Sequence, residues 1–411
     1  MHHTPFTPHT FSNYRKAIAL GDHDWQIAES GKISGLNVEI RRPNLLLDQH
    51  GRQFHHFCTT SYLGLDHHPA LLEGAINALR DTGSLRVANS RNRCKLAILE
   101  HYESELSHLF DAVCLSSLSC SAASIGVLPL LASGVFTHNR PPVMVFDHLA
   151  HYSMSHLKAS CADETQVLTC PHNDMDFLES VCQRHATVAY IADGAYSMGG
   201  VANLDGLLYL KDRYGLFLYV DDSHALSTVG LNGAGLVRPR MPALEDDCLI
   251  VASLANAFGA SGGLVMVGNL RQKTLIQRYG GPSNCSQSLN CAAIGAGRAS
   301  IELHRSAAFS AIQKQLQANI ALFDSLISTE QHGSSMAIRL ISCGQASKAN
   351  RVAIELAESG FFTRAVFFPV VAQGKAAIKI TLRADMQASL IRRFCEAVTE
   401  LLRTHRCDPD D

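Results

Sequence analysis

Short, uninterrupted apolar runs recur through the middle of the chain and predict buried strands. They are residues 143–146, 188–191, 216–220, 249–252 and 264–267. Each run lacks the alternation of apolar and polar residues that a half-exposed strand shows, so these strands should be covered on both faces. The pattern favours a sheet that lies between two layers of helix.

Helical periodicity separates these runs. Apolar residues fall on one helical face between residues 96 and 109, and His172-Asn173-Asp174 is a typical capping sequence ahead of a further helical segment. The segment 204–214 ends at Gly215, a residue that readily adopts the left-handed conformation at a helix end. Strands that alternate with helices predict an α/β fold with a mostly parallel sheet.

The C-terminal part of the chain follows a different pattern. Residues 378–382 alternate in the manner of an exposed edge strand, and residues 390–402 carry the apolar stripe of an amphipathic helix. We therefore predict three parts. Residues 1–50 form a segment that packs on the small domain or on a partner, residues 51–295 a large domain, and residues 296–411 a small α+β domain.

Composition narrows the class of protein without naming a function. Apolar residues make up 46% and charged residues 18% of the chain, and the formal net charge is −2, so neither nucleic acid nor an anionic membrane is favoured as the main partner. No apolar stretch approaches the ~18 residues that a membrane span requires. The 13 cysteines are irregularly spaced and the first residues do not form a secretory signal. We therefore expect reduced thiols and a cytoplasmic protein. We expect no metal site, because His148, His151 and His156 lack carboxylate or thiolate partners.

The sharpest candidate site follows the run 216–220. Asp221-Asp222-Ser223-His224 comes directly after it, and a glycine-rich turn follows at residues 229–235. Ligands of open α/β sheets bind beyond the carboxyl ends of strands, where these residues should lie. Taken alone, the segment favours the simpler interpretation of an aspartate that caps the next helix and an ordinary loop histidine, because a motif without context is a weak signal.

Six short motifs give this segment a context. They are Ser61-Tyr62-Leu63-Gly64-Leu65, Asp147 with His151 and Ser153, His172-Asn173-Asp174, Asp193-Gly194-Ala195-Tyr196-Ser197-Met198, Val220-Asp221-Asp222-Ser223-His224, and residues 253–263, which read SLANAFGASGG. In this order, from about Phe57 to the C-terminus, they resemble the α-oxoamine synthases. That family of pyridoxal-phosphate (PLP) enzymes includes 2-amino-3-ketobutyrate CoA ligase, 8-amino-7-oxononanoate synthase, serine palmitoyltransferase and the Vibrio autoinducer synthase.

The resemblance implies an architecture and a reaction. The architecture is the fold-type-I PLP-dependent transferase, with a mostly parallel seven-stranded sheet in the large domain and a small C-terminal domain. The family forms homodimers with active sites at the subunit interface. Its reaction condenses a small α-amino acid with an acyl-CoA or another acyl-thioester.

The resemblance also implies roles for individual residues. Asp221 would hold the pyridinium nitrogen of PLP, which keeps the ring an electron sink. His151 would stack on the ring, and His224 would bond the ring oxygen near the aldehyde. The other cofactor contacts that it implies are Ser119, Cys120 and Ser121 at the helix-opening turn for the phosphate, together with Ser253 and, from the neighbouring subunit, Ser286. Lys379 stands where the family has the arginine that grips the substrate carboxylate.

Four positions depart from the family pattern. The family lysine that forms the internal aldimine is Asn256 here, and an amide nitrogen cannot condense with an aldehyde because its lone pair is delocalised. Lys379 keeps the charge of the arginine but loses its bidentate fork. The usual glycine and asparagine of the phosphate turn are Cys120 and Ser124.

These departures leave three hypotheses open. The chain is a synthase homologue with impaired or altered chemistry that binds PLP non-covalently or as an external aldimine. Alternatively, it is a non-catalytic subunit of a heterodimer with a lysine-bearing paralogue. The lysine-free subunit of eukaryotic serine palmitoyltransferase works in this way and also has asparagine at the position of Asn256. That subunit, however, has lost the aspartate and the stacking histidine that this chain retains. The third is an engineered lysine-to-asparagine variant of an active synthase. The retained Asp221 and His151 favour the first and third hypotheses, whereas Lys379 and Cys120 weigh against the third.

Overall fold

The computed structural model describes residue 11 and residues 14–404, which divide into two compact units. The first comprises residue 11 with residues 68–196 and 201–306, and the second comprises residues 14–67, 197–200 and 307–404. The three-part division expected at residues 50 and 295 stays a prediction.

The elements are numbered in chain order. The strands are β1 (Val38–Arg42), β2 (Leu45–Asp48), β3 (Gln53–His56), β4 (Val113–Ser117), β5 (Val143–Asp147), β6 (Val167–Cys170), β7 (Val188–Asp193), β8 (Phe217–Asp221), β9 (Cys248–Ser253), β10 (Gly263–Val267), β11 (Ile338–Gly344), β12 (Phe361–Phe362), β13 (Arg364–Val366) and β14 (Ala376–Thr381). The α-helices are α1 (Tyr14–Ser30), α2 (Pro69–Thr82), α3 (Ala97–Phe110), α4 (Cys120–Ala132), α5 (Tyr152–Ser155), α6 (Lys158–Ala162), α7 (Met175–Arg184), α8 (Leu204–Tyr214), α9 (Leu270–Tyr279), α10 (Gly281–Cys285), α11 (Cys291–His304), α12 (Ala307–Leu326), α13 (Ala346–Glu358) and α14 (Ala388–Thr404).

The first unit is built on a seven-stranded sheet in the order β4-β10-β9-β8-β7-β5-β6. The pairs from β9 through to β6 are parallel, and β10 runs antiparallel to both of its neighbours. The predicted α/β fold with a mostly parallel sheet is therefore confirmed. All five apolar runs are strands of this sheet, namely β5, β7, β8, β9 and β10.

Burial on both faces explains why these runs do not alternate. In β8, Leu218 and Val220 belong to a core shared with α3, α7, α8 and α11, while Phe217 and Tyr219 belong to a second core shared with α4, α5, α6 and α9. Every residue of β8 is buried. Side chains that leave opposite faces of a strand thus enter two separate hydrophobic layers, and both layers select apolar residues.

The predicted helix ends are confirmed at the atomic level. Asp174 caps α7, and its side chain accepts a hydrogen bond from the Phe177 N–H at 2.9 Å. Gly215 ends α8 with φ of 69°, in the left-handed region where glycine has no steric penalty. These ends fix where the loops at the edge of the sheet begin.

The second unit contains two small sheets. One has the order β1-β2-β3-β12 and the other β11-β14-β13. The expected amphipathic helix at residues 390–402 is confirmed as α14, which buries Leu390, Ile391, Phe394, Cys395 and Val398. The expectation of an exposed edge strand at residues 378–382 is wrong, since β14 is the middle strand and is buried throughout. The polar residues in its alternation, Lys379 and Thr381, are themselves buried, and pairing on both sides keeps them from solvent.

The helices of residues 14–404 include none with both the length and the apolar character needed to cross a membrane.

Candidate active site

The candidate site lies where β7, β8 and β9 end. Asp193 closes β7 and is in register with Asp221, which closes β8. The next strand, β9, ends at Ser253, whose N–H donates to the Ser223 hydroxyl at 2.8 Å. Because these strands are parallel neighbours, the polar residues that follow them gather at one edge of the sheet.

Asp221 is buried and points toward the start of α4. Its Oδ1 accepts a hydrogen bond from the Ser223 N–H at 2.9 Å, and its Oδ2 accepts one from the Cys120 thiol at 3.3 Å. A thiol is a weak donor, so Oδ2 retains the capacity to accept from a stronger one. Burial and the nearby Asp221 charge raise the pKa of the Cys120 thiol well above its usual value, which keeps the sulfur protonated.

Asp222 leaves the opposite face of the strand end, as the alternation of side chains requires. Its Oδ2 accepts hydrogen bonds from the N–H groups of Leu236 and Val237 at 2.8 and 3.2 Å. A Cβ on Gly235 would lie 2.1 Å from that oxygen, so only glycine fits beside it. Burial raises the pKa of Asp222 to about 7. This aspartate organises the glycine-rich turn, whereas Asp221 is directed into the site.

The start of α4 is the natural place for an anion. Ser119 caps the helix by accepting from the Ala122 N–H at 3.1 Å, and its carbonyl accepts from the Ala123 N–H at 3.0 Å. The N–H groups of Cys120 and Ser121 have no hydrogen-bond partner among the described residues, and such groups bind phosphate well. A Cβ on Gly263 would lie 2.4 Å from the Ser119 carbonyl oxygen, so β10 can approach this turn only with glycine.

His151 begins α5 and presents an exposed imidazole ring. The backbone N–H of His151 donates to Asp193 Oδ2 at 2.8 Å, and the ring Nδ1 lies 2.9 Å from the Ser153 hydroxyl. Burial and, secondarily, the Asp221 charge raise the pKa of Asp193 well above its usual value. Asp193 therefore anchors the backbone of His151 while its ring remains open for stacking.

Asn256 lies in the turn after β9 and reaches back to the residues that follow β8. Its Nδ2 donates to the Ser223 carbonyl oxygen at 2.9 Å. His224 is the next residue and is half-buried. Asn256, the residue expected at the position of the family lysine, thus lies beside the Asp221 turn, and its amide donates to the backbone there.

The structure brings most of the predicted site residues of the first unit to one edge of its sheet. Contacts connect Ser119, Cys120, His151, Asp221, Ser253 and Asn256 through the turns described above. Ser124 instead accepts a hydrogen bond from the Tyr219 hydroxyl at 2.9 Å within the core. Ser286 follows α10, a helix that packs on α4 near Gly126. Lys379 belongs to the second unit, where it lies buried in β14.

Sequence reasoning missed the structural roles of Asp193 and Ser223. Asp193 appeared only as part of a motif, although it follows a buried strand in the same way as Asp221 does. The rule that ligand sites gather at strand ends contained that information. Ser223 gave no comparable indication, because its role depends on the three-dimensional turn that its hydroxyl and carbonyl connect to β9 and Asn256.

The residues at this edge fit PLP. Asp221 Oδ2 has only a thiol partner and can accept from a pyridinium N–H, the start of α4 offers two unused N–H groups for a phosphate, and the His151 ring is exposed. No other group among the described residues takes those N–H groups. The donors and acceptors therefore match the charge distribution of the cofactor from one end to the other.

Comparison with known proteins agrees with this geometry. The model of the family named aminotransferase class I and II matches residues 53–398. The chain belongs to that family. Proteins of this family are PLP-dependent. The relatives described next are similar in sequence and support a place for this chain among the α-oxoamine synthases.

Two relatives illustrate that place. This chain is 27% identical over 391 residues to 8-amino-7-oxononanoate synthase of Geobacter sulfurreducens, and the match covers 92% of this chain and 96% of the relative. It is 30% identical over 360 residues to 2-amino-3-ketobutyrate coenzyme A ligase of Escherichia coli, covering 84% and 86%. Both relatives are matched over nearly their whole length.

Solved structures share the fold. Serine palmitoyltransferase from S. paucimobilis with a bound PLP–myriocin aldimine superposes with a TM-score of 0.83 at 17% identity, covering 96% of this chain and 99% of the other. An 8-amino-7-oxononanoate synthase from Francisella tularensis superposes with a TM-score of 0.70 at 18% identity, covering 86% and 99%. The expected fold-type-I architecture is confirmed.

Proposed function

We propose that this protein is an α-oxoamine synthase homologue that binds PLP without a covalent link and carries impaired or altered condensation chemistry. Its substrates would be a small α-amino acid and an acyl-CoA or other acyl-thioester. The observation that carries the proposal is the retained cradle of Asp221, His151 and the α4 start beside an amide at residue 256. The proposal is supported by the two relatives named above, an 8-amino-7-oxononanoate synthase and a 2-amino-3-ketobutyrate coenzyme A ligase.

Each residue of the cradle has a defined task. PLP, when bound, supplies an electron sink that stabilises a carbanion at the α-carbon of an amino acid. Asp221 would accept a hydrogen bond from the pyridinium N–H of the cofactor and so favour the protonated ring nitrogen. The N–H groups of Cys120 and Ser121 would bind its phosphate, His151 would cover one face of the ring, and His224 would donate toward the ring oxygen. Ser253 would add a hydroxyl, and Ser286 would reach the phosphate from a neighbouring subunit.

Asn256 sets the limit on the chemistry. Its amide cannot hold the cofactor covalently and does not accept a proton at neutral pH, so it cannot move protons at the α-carbon. Any proton transfer must then use another group of this chain or of a partner. Lys379 would hold the carboxylate of the amino acid by charge alone, without the fork of an arginine.

A second candidate function is specifically favoured by Asn256. In it, the chain is a non-catalytic partner that completes the site of a lysine-bearing paralogue in a heterodimer, instead of forming a homodimer. The cytoplasm is the proposed compartment for either function, because the cysteines within residues 14–404 are unpaired.

PLP titration tests the proposal directly. Binding should change the absorbance of the cofactor and stabilise the protein by about 2.7 kcal/mol at a hundredfold excess over the dissociation constant. Free CoA released from acyl-CoA with glycine, alanine or serine measures the activity. Absence of both binding signals would contradict the proposal. PLP binding without turnover, restored by co-expression with a lysine-bearing relative, would favour the partner function.

A further inference from the structure

A buried cluster joins α11 to the two turns that follow β8 and β9. It consists of Ser227, Phe258, Ser300 and His304, all of them buried, and is called the His304 cluster below. Ser300 and His304 belong to α11, Ser227 to the turn after β8, and Phe258 to the turn after β9. Buried polar side chains are normally hydrogen-bonded, so the partners of the His304 ring define what the cluster does.

The ring of His304 has a defined tautomer. Its Nδ1 lies 2.7 Å from the Ser300 carbonyl oxygen, which can only accept, so the ring proton is on Nδ1. Burial lowers the pKa of His304 to about 4, so the ring is neutral at pH 7 and Nε2 is an acceptor. The Ser227 hydroxyl donates to Nε2 at 2.8 Å. The imidazole therefore connects the end of α11 to Ser227 through one donor and one acceptor.

Ser227 has a backbone conformation that serine normally avoids. Its φ is 69°, in the left-handed region, and its N–H donates to the Gly233 carbonyl oxygen at 2.8 Å. Glycine would adopt this conformation without steric cost, whereas serine incurs a cost that its hydrogen bond to His304 offsets. The serine hydroxyl thus supplies a link to α11 that glycine at this position could not make.

The link restrains the backbone around His224, which lies three residues before Ser227. The N–H groups of Ala225 and Leu226 donate to the Asp222 carbonyl oxygen at 3.0 and 2.8 Å, so residues 222–228 form a compact turn. A restraint on Ser227 is therefore transmitted to His224, the residue expected to contact the cofactor ring oxygen.

The same part of α11 contacts the turn of Asn256. The Ser300 hydroxyl donates to the Phe258 carbonyl oxygen at 2.7 Å, and the His304 ring packs on the Phe258 ring with the centroids 4.9 Å apart. Phe258 follows Asn256 by two residues, and the Gly259 N–H donates to the Asn256 carbonyl oxygen at 3.0 Å. One end of α11 thus contacts both turns that carry candidate site residues.

We propose that His304 is a positioning residue, which fixes the turns of His224 and Asn256 relative to each other. Because the ring is buried, it acts through Ser227 and Phe258 and not by contact with a ligand. The consequence for the cofactor rests on the proposed function, whereas the restraint on the two turns is a property of the protein alone.

Hydrogen–deuterium exchange of the cofactor-free protein tests the restraint. His304→Phe keeps an aromatic ring beside Phe258 but removes both ring nitrogens. Amides of residues 222–228 and 256–260 should then exchange faster by about fivefold, the equivalent of one hydrogen bond. His304→Gln can place a side-chain oxygen where Nε2 stood and accept from Ser227, so the exchange of residues 222–228 should return toward wild type.

Val181→Ala is the control for a general loss of stability. Val181 is buried in α7, and its truncation should destabilise the protein by opening a cavity. It should not accelerate the exchange of the two turns selectively.

PLP titration of Ser227→Gly separates positioning from stability. The change removes the hydroxyl and also relieves the left-handed strain, so the protein should unfold close to the wild-type temperature. Its PLP dissociation constant should nevertheless rise about fivefold. The double variant with His304→Phe should bind PLP no more weakly than His304→Phe alone, because both changes remove the same link.

Two results would overturn the proposal. Unchanged exchange of both turns in His304→Phe, or an acceleration no more selective than that of Val181→Ala, would remove the restraint. An unchanged PLP affinity in Ser227→Gly would remove its consequence for the cofactor site, and this result counts even should His304→Phe not fold. A wild-type protein that binds no PLP would instead contradict the proposed function, and the exchange experiment would still decide the restraint.

Discussion

Replacing Asp222 with asparagine should abolish a specific part of the pH dependence of stability. Burial raises the pKa of this carboxyl from 3.8 to about 7. Between these values the folded protein keeps a proton that the unfolded chain has released, so the free energy of unfolding falls as pH rises through this window. At ~1.4 kcal/mol for each pH unit, the loss amounts to about 4 kcal/mol above pH 7.

Asparagine retains the acceptor for the Leu236 and Val237 N–H groups but cannot ionise. Its amide nitrogen replaces Asp222 Oδ1, which has no hydrogen-bond partner, at a penalty of ~1–3 kcal/mol that does not depend on pH. That penalty cancels when one pH is compared with another. The difference in unfolding free energy between Asp222→Asn and wild type should therefore shift in favour of the variant by ~2–3 kcal/mol from pH 5 to pH 8.

Urea unfolding followed by far-ultraviolet circular dichroism at several pH values measures this shift. Asp246→Asn is the matched control, because Asp246 is exposed and the change should leave the profile parallel to that of wild type. The charge of Asp222 is one of the smaller causes that raise the pKa of Asp193, so its removal in Asp222→Asn shifts the pH profile further in the same direction. A constant difference between Asp222→Asn and wild type at all pH values would refute the reasoning.

The remaining predictions concern the cofactor cradle. Asp221→Asn should raise the PLP dissociation constant at least tenfold by absorbance titration, whereas Asp222→Asn should change it little; equal effects would reverse the assigned faces. Gly263→Ala should lower stability by ~1–3 kcal/mol and weaken PLP binding, because its Cβ would clash with the turn before α4, while Gly281→Ala, which faces open space, should do neither.

Much of the first unit could be predicted because its strands are buried on both faces. Such strands need apolar residues at every position, and β7, β8 and β9 accordingly stand out as uninterrupted runs. The alternation of side chains at a strand end also separated Asp221 from Asp222, which the structure confirms by their different hydrogen-bond partners. In these cases a local rule decided the geometry.

The second unit was less predictable because its polar residues do not mark its surface. Lys379 and Thr381 made β14 look like an edge strand, yet strand pairing on both sides buries them. Which charges meet there depends on the register of β13 with β14, and no sequence pattern contains that register. The pairing of Lys379 with Arg364 therefore became visible only in the structure.

Borohydride reduction of the PLP-loaded protein, followed by peptide mapping, shows whether any residue holds the cofactor covalently. Wild type should bind PLP but release it on denaturation, with no residue modified, because Asn256 cannot link to the aldehyde. Asn256→Lys should instead retain the cofactor at residue 256, since the position lies beside the Asp221 turn and the longer side chain can enter the cofactor space. PLP reduced onto any residue of wild type would contradict non-covalent binding. A folded Asn256→Lys protein that retains no PLP would contradict the place given to residue 256 in the cofactor site.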